Sequence, residues 1–270
     1  MVGPGRALAA SALVRSGFAR TLADRANLAL YCAIGLMTVL AQVTIWRSVV
    51  EADPAAGPIA LAQMVTYSVL STALTELLPV HVTLRIVDER LRTGNIAIDL
   101  LRPIPYPLVV AGESIGVAAF RAVFTTLPIL GLAGLLFGLG RPATLAAGVA
   151  FALAVLISVA LSLAIGFLLA LVAFRYLTTL FLEWSVNALI RVFGGAFLPF
   201  WFFPTGLAEL AGALPFRYLY FVPVAIYLGR VPPADLAGTL LIGAGWALAI
   251  AGATAWLWRR ALRWLIVGGG

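Results

Sequence analysis

From residue 146 to residue 174 the chain carries no charged side chain, and long apolar runs of this kind recur from residue 26 to residue 257. A helix rises about 1.5 Å per residue and the hydrocarbon core of a bilayer is about 30 Å thick, so about 20 apolar residues make one crossing. Only a helix or a closed barrel satisfies every backbone polar group in lipid, and runs of this length without alternation are helical. The rest of the composition agrees: 63% of the residues are hydrophobic and 11% are charged, whereas a soluble domain is about 25% charged. Mean hydropathy is +1.06. With 270 residues there is room for about six crossings and short connections, and none for a separate soluble catalytic domain.

The expected architecture is therefore all-α and polytopic, with about six transmembrane helices in one membrane domain over 1–270. Residues 1–25 contain Val14, Phe18 and Leu22 at helical spacing, with Arg20 and Asp24 opposite, which predicts an interfacial helix. A transit peptide is the alternative for so Arg-rich a start. Expected spans cover 27–46, 59–78, 118–137, a stretch within 146–174, 180–198 and 236–257, with 108–117 as an interfacial lead-in to the third. The first run is too long for a signal-peptide core and should persist as a span. Cys32 is the single cysteine, so no intrachain disulfide is possible, and its apolar surroundings make it a packing residue.

The formal charge is +7, and every basic residue other than His81 is arginine. Arginines near spans set orientation and attract anionic headgroups, so membrane lipid accounts for the basic balance without nucleic acid. With the N-terminus inside, the arginines of 1–25, Arg85, Arg90, Arg92, Arg102, Arg175, Arg259, Arg260 and Arg263 are cytosolic. Arg47, Arg141, Arg217 and Arg230 then lie outside, so both termini are expected in the cytosol.

Residues 79–107 form the only long polar stretch. Residues 83–93 read as a short charged helix in which Asp88 and Arg92 pair at i, i+4 and Gly94 is the stop. Such a helix is either a solvated loop element or a docking element for a cytosolic partner. Beyond the fifth span, Pro199, Pro204, Pro215 and Pro223 interrupt an apolar region, 199–228, that continuous helix would not tolerate. Thr205 is placed to cap a helix over 206–213, and two short helices dipping back into the outer leaflet fit the pattern. Irregular backbone at membrane depth must be buried in protein or line a cavity, so this region is a packed lid or part of a pathway.

Glu76, Glu113, Arg121, Glu183 and Arg191 lie in or near spans, where a charge costs at least about 2.5–3.5 kcal/mol at the bilayer centre. Arg191 is the deepest. A structural ion pair is the expected role for it, and Glu183 is the nearest acidic residue in sequence. Gly112-Glu113-Ser114-Ile115-Gly116 matches the nucleophile-elbow spacing, but the elbow needs a strand before it, and the one histidine precedes the serine. The same glycines fit a small-residue helix contact, as do Gly134 and Gly138. One His and one Cys make no metal constellation, and a chain without lysine has no phosphate loop. No catalytic, cofactor-binding or metal site is expected on this chain.

In its order of elements the chain resembles the permease subunits of type-2 ATP-binding-cassette exporters, over nearly its whole length. The interfacial helix, the charged helix after the second span and the Pro-broken region before the last span carry the likeness. Residues 86–103, with Arg92-Thr93-Gly94-Asn95 and Asp99-Leu100-Leu101-Arg102-Pro103, look like that family's coupling helix; Pro199 to Pro223, with Leu214-Pro215-Phe216, resembles its external re-entrant helices. The likeness implies ATPase coupling through Arg85, Asp88, Glu89, Arg92, Gly94, Asp99 and Arg102, and an external gate at Pro199, Pro204, Pro215, Phe216 and Pro223. It also implies two cytosolic ATPase subunits holding ATP and magnesium, a second permease identical or homologous to this one, and a bacterial cytoplasmic membrane. A secondary transporter would need midplane acidic residues, which are scarce here, and a membrane scaffold would need no pathway.

Overall fold

A computed structural model describes residues 4–23, 28–52, 60–101, 103–176 and 179–267. Among the described residues every regular element is helical. Five stretches are long and apolar enough to cross a bilayer: Leu28–Ala52, Leu61–Arg92, Tyr106–Phe137, Leu145–Val172 and Pro233–Leu262. The chain is thus an all-α, multi-pass membrane protein.

Helix α1 (Pro4–Ala23) precedes α2 (Leu28–Ala52), the first crossing. The packed side of α1 centres on Gly17, not on the Val14, Phe18 and Leu22 stripe alone. A Cβ on Gly17 would lie 2.1 Å from the Glu113 carbonyl oxygen, and one on Gly116 would lie 2.1 Å from that of Val14. Gly112, Gly116 and Gly17 thus let α1 lie directly on α6 (Tyr106–Arg121), and Phe18 meets Phe120 edge-on at 5.2 Å.

The second crossing differs from expectation. Helix α3 (Leu61–Leu77) breaks only at Leu78 and Pro79 before α4 (Val80–Arg92) continues. The charged helix therefore begins at Val80, three residues earlier than its sequence pattern indicates. Val80, Val82, Thr83, Leu84, Ile86 and Val87 are buried, so it is not a solvated loop element. Thr93 and Gly94, at φ +74°, end it, as the C-terminal stop at Gly94 requires.

The expected lead-in at 108–117 is not a separate element either. Tyr106–Phe137 is one apolar stretch, formed by α6, a π-helical turn at Ala122–Thr126 and α7 (Leu127–Phe137). Pro128 explains the irregularity, because it has no N–H to give the carbonyl of Phe124 four residues earlier. The thiol of Cys32, on α2, donates to that carbonyl at 3.4 Å. Cys32 is thus more than packing: it satisfies a backbone oxygen that lipid would leave bare.

Helix α8 (Leu145–Tyr176) crosses without a charged side chain from Leu145 to Val172 and packs against α4, against α11 (Phe221–Tyr227) and against α12 (Leu236–Val267). Within the expected span at 180–198 the helix is short. Helix α9 (Thr179–Phe193) has 15 residues, about 22 Å at the helical rise, against a core of about 30 Å. It stops because Gly195 adopts φ +76°, with the carbonyls of Gly194 and Gly195 taken by the Phe221 N–H at 3.0 Å and by the Tyr67 hydroxyl. The last helix, α12, runs ten residues past the expected end at 257. Its Trp258 is buried, stacked on Tyr106 at 5.0 Å and edge-on to Phe167 at 5.8 Å.

The proline-broken region is compact. A 3₁₀ turn at Phe200–Phe202, helix α10 (Thr205–Ala213), a 3₁₀ turn at Pro215–Tyr218 and α11 follow one another. Pro204, not Thr205, occupies the cap position of α10, and no side chain caps it. Phe221 through Ile226 are buried, Phe200 stacks on Phe221 at 4.5 Å, and Ser158 of α8 donates to the Tyr218 carbonyl at 2.7 Å. Pro199, Pro215 and Pro223 are buried within this plug, Phe216 is half-buried, and Pro204 is exposed beside α10.

Candidate functional site

The chemistry-bearing side chains gather at the end of the bundle where α1, α4 and α6 meet. Along α4 the residues left outside the packing are Arg85, Asp88, Glu89 and Arg92, at i, i+3, i+4 and i+7, a single charged stripe. Asp88 accepts both Arg92 Nε contacts, at 3.0 and 2.9 Å, so the expected acid-to-base pair forms. It is half open to solvent, where such a pair contributes about 0.3–0.5 kcal/mol.

Arg90 points the other way. It follows Thr83, Ile86 and Val87 on the packed side of α4, and its side chain is 12% exposed. Its Nη1 lies 3.1 Å from Asp99 Oδ2, and its Nη2 lies 2.6 Å from both oxygens of Glu113. Asp99 belongs to the short helix α5 (Ile96–Leu100) and Glu113 to α6. One guanidinium fork therefore ties three elements together, with carboxylates 6% and 9% exposed. Arg20 of α1 adds a cation 4.0 Å from Glu113. Because Asp99 points inward, α5 turns the opposite side out: Ile98 is 60% and Leu101 86% exposed.

A second group lies deeper. Arg121 reaches His81 Nε2 at 2.9 Å and lies 5.9 Å from the Tyr31 ring centre. A guanidinium can only donate, so Nε2 is the acceptor and the His81 proton sits on Nδ1. Glu76 is within electrostatic range of Arg121 and Arg191. One acidic neighbour of Arg191 thus comes from α3, and Phe197 lies under its guanidinium at 6.0 Å. The Glu183 side chain and all of Arg102 lie outside the described residues.

The sequence pattern identified the exposed stripe and Gly94 but placed Asp99 with the outward charges and left Arg90 and Glu113 without a role. Arg90 had a signal, since it continues the buried i, i+3/i+4, i+7 row of α4. Glu113 had none that spacing could resolve, because its partner comes from another helix.

Among the described residues no group of His, Cys, Asp and Glu is arranged to hold a metal. Residues 36–267, nearly the whole of this bundle, match the family described as ABC-2 family transporter protein. The chain belongs to that family. No curated protein and no solved structure matches it. The ABC-2 permease is the membrane component of its transporter and is not itself catalytic. In the permease, the charged stripe, the Arg90 fork and the outward apolar residues of α5 occupy one end of the bundle. The proline-broken plug occupies the other.

Proposed function

We propose that this permease is the membrane-spanning subunit of an ATP-driven exporter in a bacterial cytoplasmic membrane, with ATP and magnesium held by separate cytosolic ATPase subunits. Two ATPases dock beneath two permeases, identical or homologous, whose interface forms the substrate pathway. Both termini and α5 face the cytosol.

The Arg90 fork carries this reading. A coupling element must offer a partner something to press on and must pass the displacement to the spans. Ile98 and Leu101 offer about 1.5–3 kcal/mol each if buried by a partner. Asp99 on the reverse side hands the motion to Arg90, and Arg90 to Glu113 on α6. A charge-assisted bidentate contact transmits such a push because its geometry is fixed. ATP-driven closure would then bias the spans between two arrangements. The plug of Pro199, Pro204, Pro215, Phe216 and Pro223 closes the far end.

A pull-down with the neighbouring cassette ATPase, alongside substrate-stimulated hydrolysis in reconstituted membranes, tests the assignment. Simultaneous charge reversal of Asp88, Glu89 and Arg92, and separately I98D/L101D, should each lower ATPase recovery and stimulation at least about tenfold. The permease alone should hydrolyse ATP only at background. Wild-type recovery and stimulation in both variants would remove the coupling role from α4 and α5.

A further inference from the structure

A cavity of about 460 Å³ opens between α1, α2, α4 and α6, within the size range of about 300–1,000 Å³ typical of small-ligand sites. Arginines from three elements reach it: Arg20 from α1, Arg85 from α4 and Arg121 from α6. Of the two carboxylates in its wall, Glu113 is already held on both oxygens by Arg90, and Glu89 stands on the exposed side of α4. Arg121 is only partly accessible, and among the described residues no carboxylate lies within ion-pairing distance of it. His81, as acceptor, and the Tyr31 ring orient its guanidinium, and Glu76 of α3 lies within electrostatic range of it without forming an ion pair. A guanidinium placed that way is completed by an anion with several acceptor oxygens, and phosphate fits its fork.

Beside the cavity the surface turns apolar. Tyr31 and Ile34 on α2 and Phe124 at the π-helical turn are 40%, 48% and 40% exposed. Arginines at helix-end level next to an apolar track match a phospholipid, with the phosphate among the cations and the acyl chains along α2. We propose that this cavity binds the phosphate of an anionic phospholipid from the leaflet bordering α1.

Native mass spectrometry of the detergent-purified permease, offered phosphatidylglycerol and phosphatidylcholine at equal mole fraction, tests this directly. The wild type should retain phosphatidylglycerol preferentially. R20Q should lower the preference about five-fold, the equivalent of roughly 1 kcal/mol for one cation at an anionic surface, and R121Q at least as much. R47Q/R141Q, which removes two arginines at the opposite end, should leave it unchanged. Arg20 has a 60% exposed side chain, so R20Q reads the site even if the buried R121Q fails to fold. Equal ratios in wild type, R20Q and R47Q/R141Q would overturn the proposal. So would saturation by inorganic phosphate with no lipid preference, which would assign the cavity to a soluble phosphate compound. The readout needs no ATPase and is independent of the coupling role proposed for α4 and α5.

Discussion

Replacing Arg90 by methionine keeps the volume of the stem and deletes the fork. Glu113 would then keep a side chain 9% exposed, with Arg20, mostly in solvent, 4.0 Å away. Removing one partner of a buried ion pair costs about 3–5 kcal/mol, because the stranded charge stays desolvated. At about 2–4 °C per kcal/mol for a chain of this size, R90M should lose roughly 6–20 °C of unfolding temperature, read by tryptophan fluorescence of the purified permease in detergent. Because the loss comes from the stranded Glu113 carboxylate, adding E113Q to R90M should restore more than half of it. R92M removes the exposed partner of Asp88 and should shift the midpoint by less than about 4 °C. A midpoint for R90M within about 2 °C of wild type would refute the fork as a structural tie. An R90M/E113Q variant no more stable than R90M would refute stranded charge as the cause.

Orientation follows from the arginine asymmetry. Asn95, exposed in the turn between α4 and α5, should be labelled in an N95C/C32S variant by a membrane-impermeant thiol reagent only after the cells are opened, and labelling in intact cells would invert the topology. The α1–α6 contact is tested by G116L, whose Cβ would lie 2.1 Å from a backbone oxygen. It should destabilise by at least about 1–3 kcal/mol, whereas leucine at Gly131, which has nothing within 4 Å of its Cβ position, should be nearly neutral in the same melt; equal effects would show that α1 does not pack closely.

Local composition determined a great deal by itself. An apolar run reports its own length, so α2, α8 and most of α12 were legible as crossings, as were the proline-broken region, the stop at Gly94 and the Asp88 to Arg92 pair, all of which depend on neighbours within a few residues. What the sequence could not determine is whatever depends on which helices become neighbours. That α3 and α4 continue almost as one rod, and that α9 ends at Phe193, follow from buried surroundings that hold Pro79 and Gly195 in their conformations. The thiol of Cys32 is significant only because folding brings it to the carbonyl that Pro128 leaves without a donor. Arg90, Asp99 and Glu113 lie in three elements, and a carboxylate in sequence looks the same whether it meets water, a partner protein or a guanidinium. Only the tertiary structure separates these, because the free energy of a charge is set by what surrounds it.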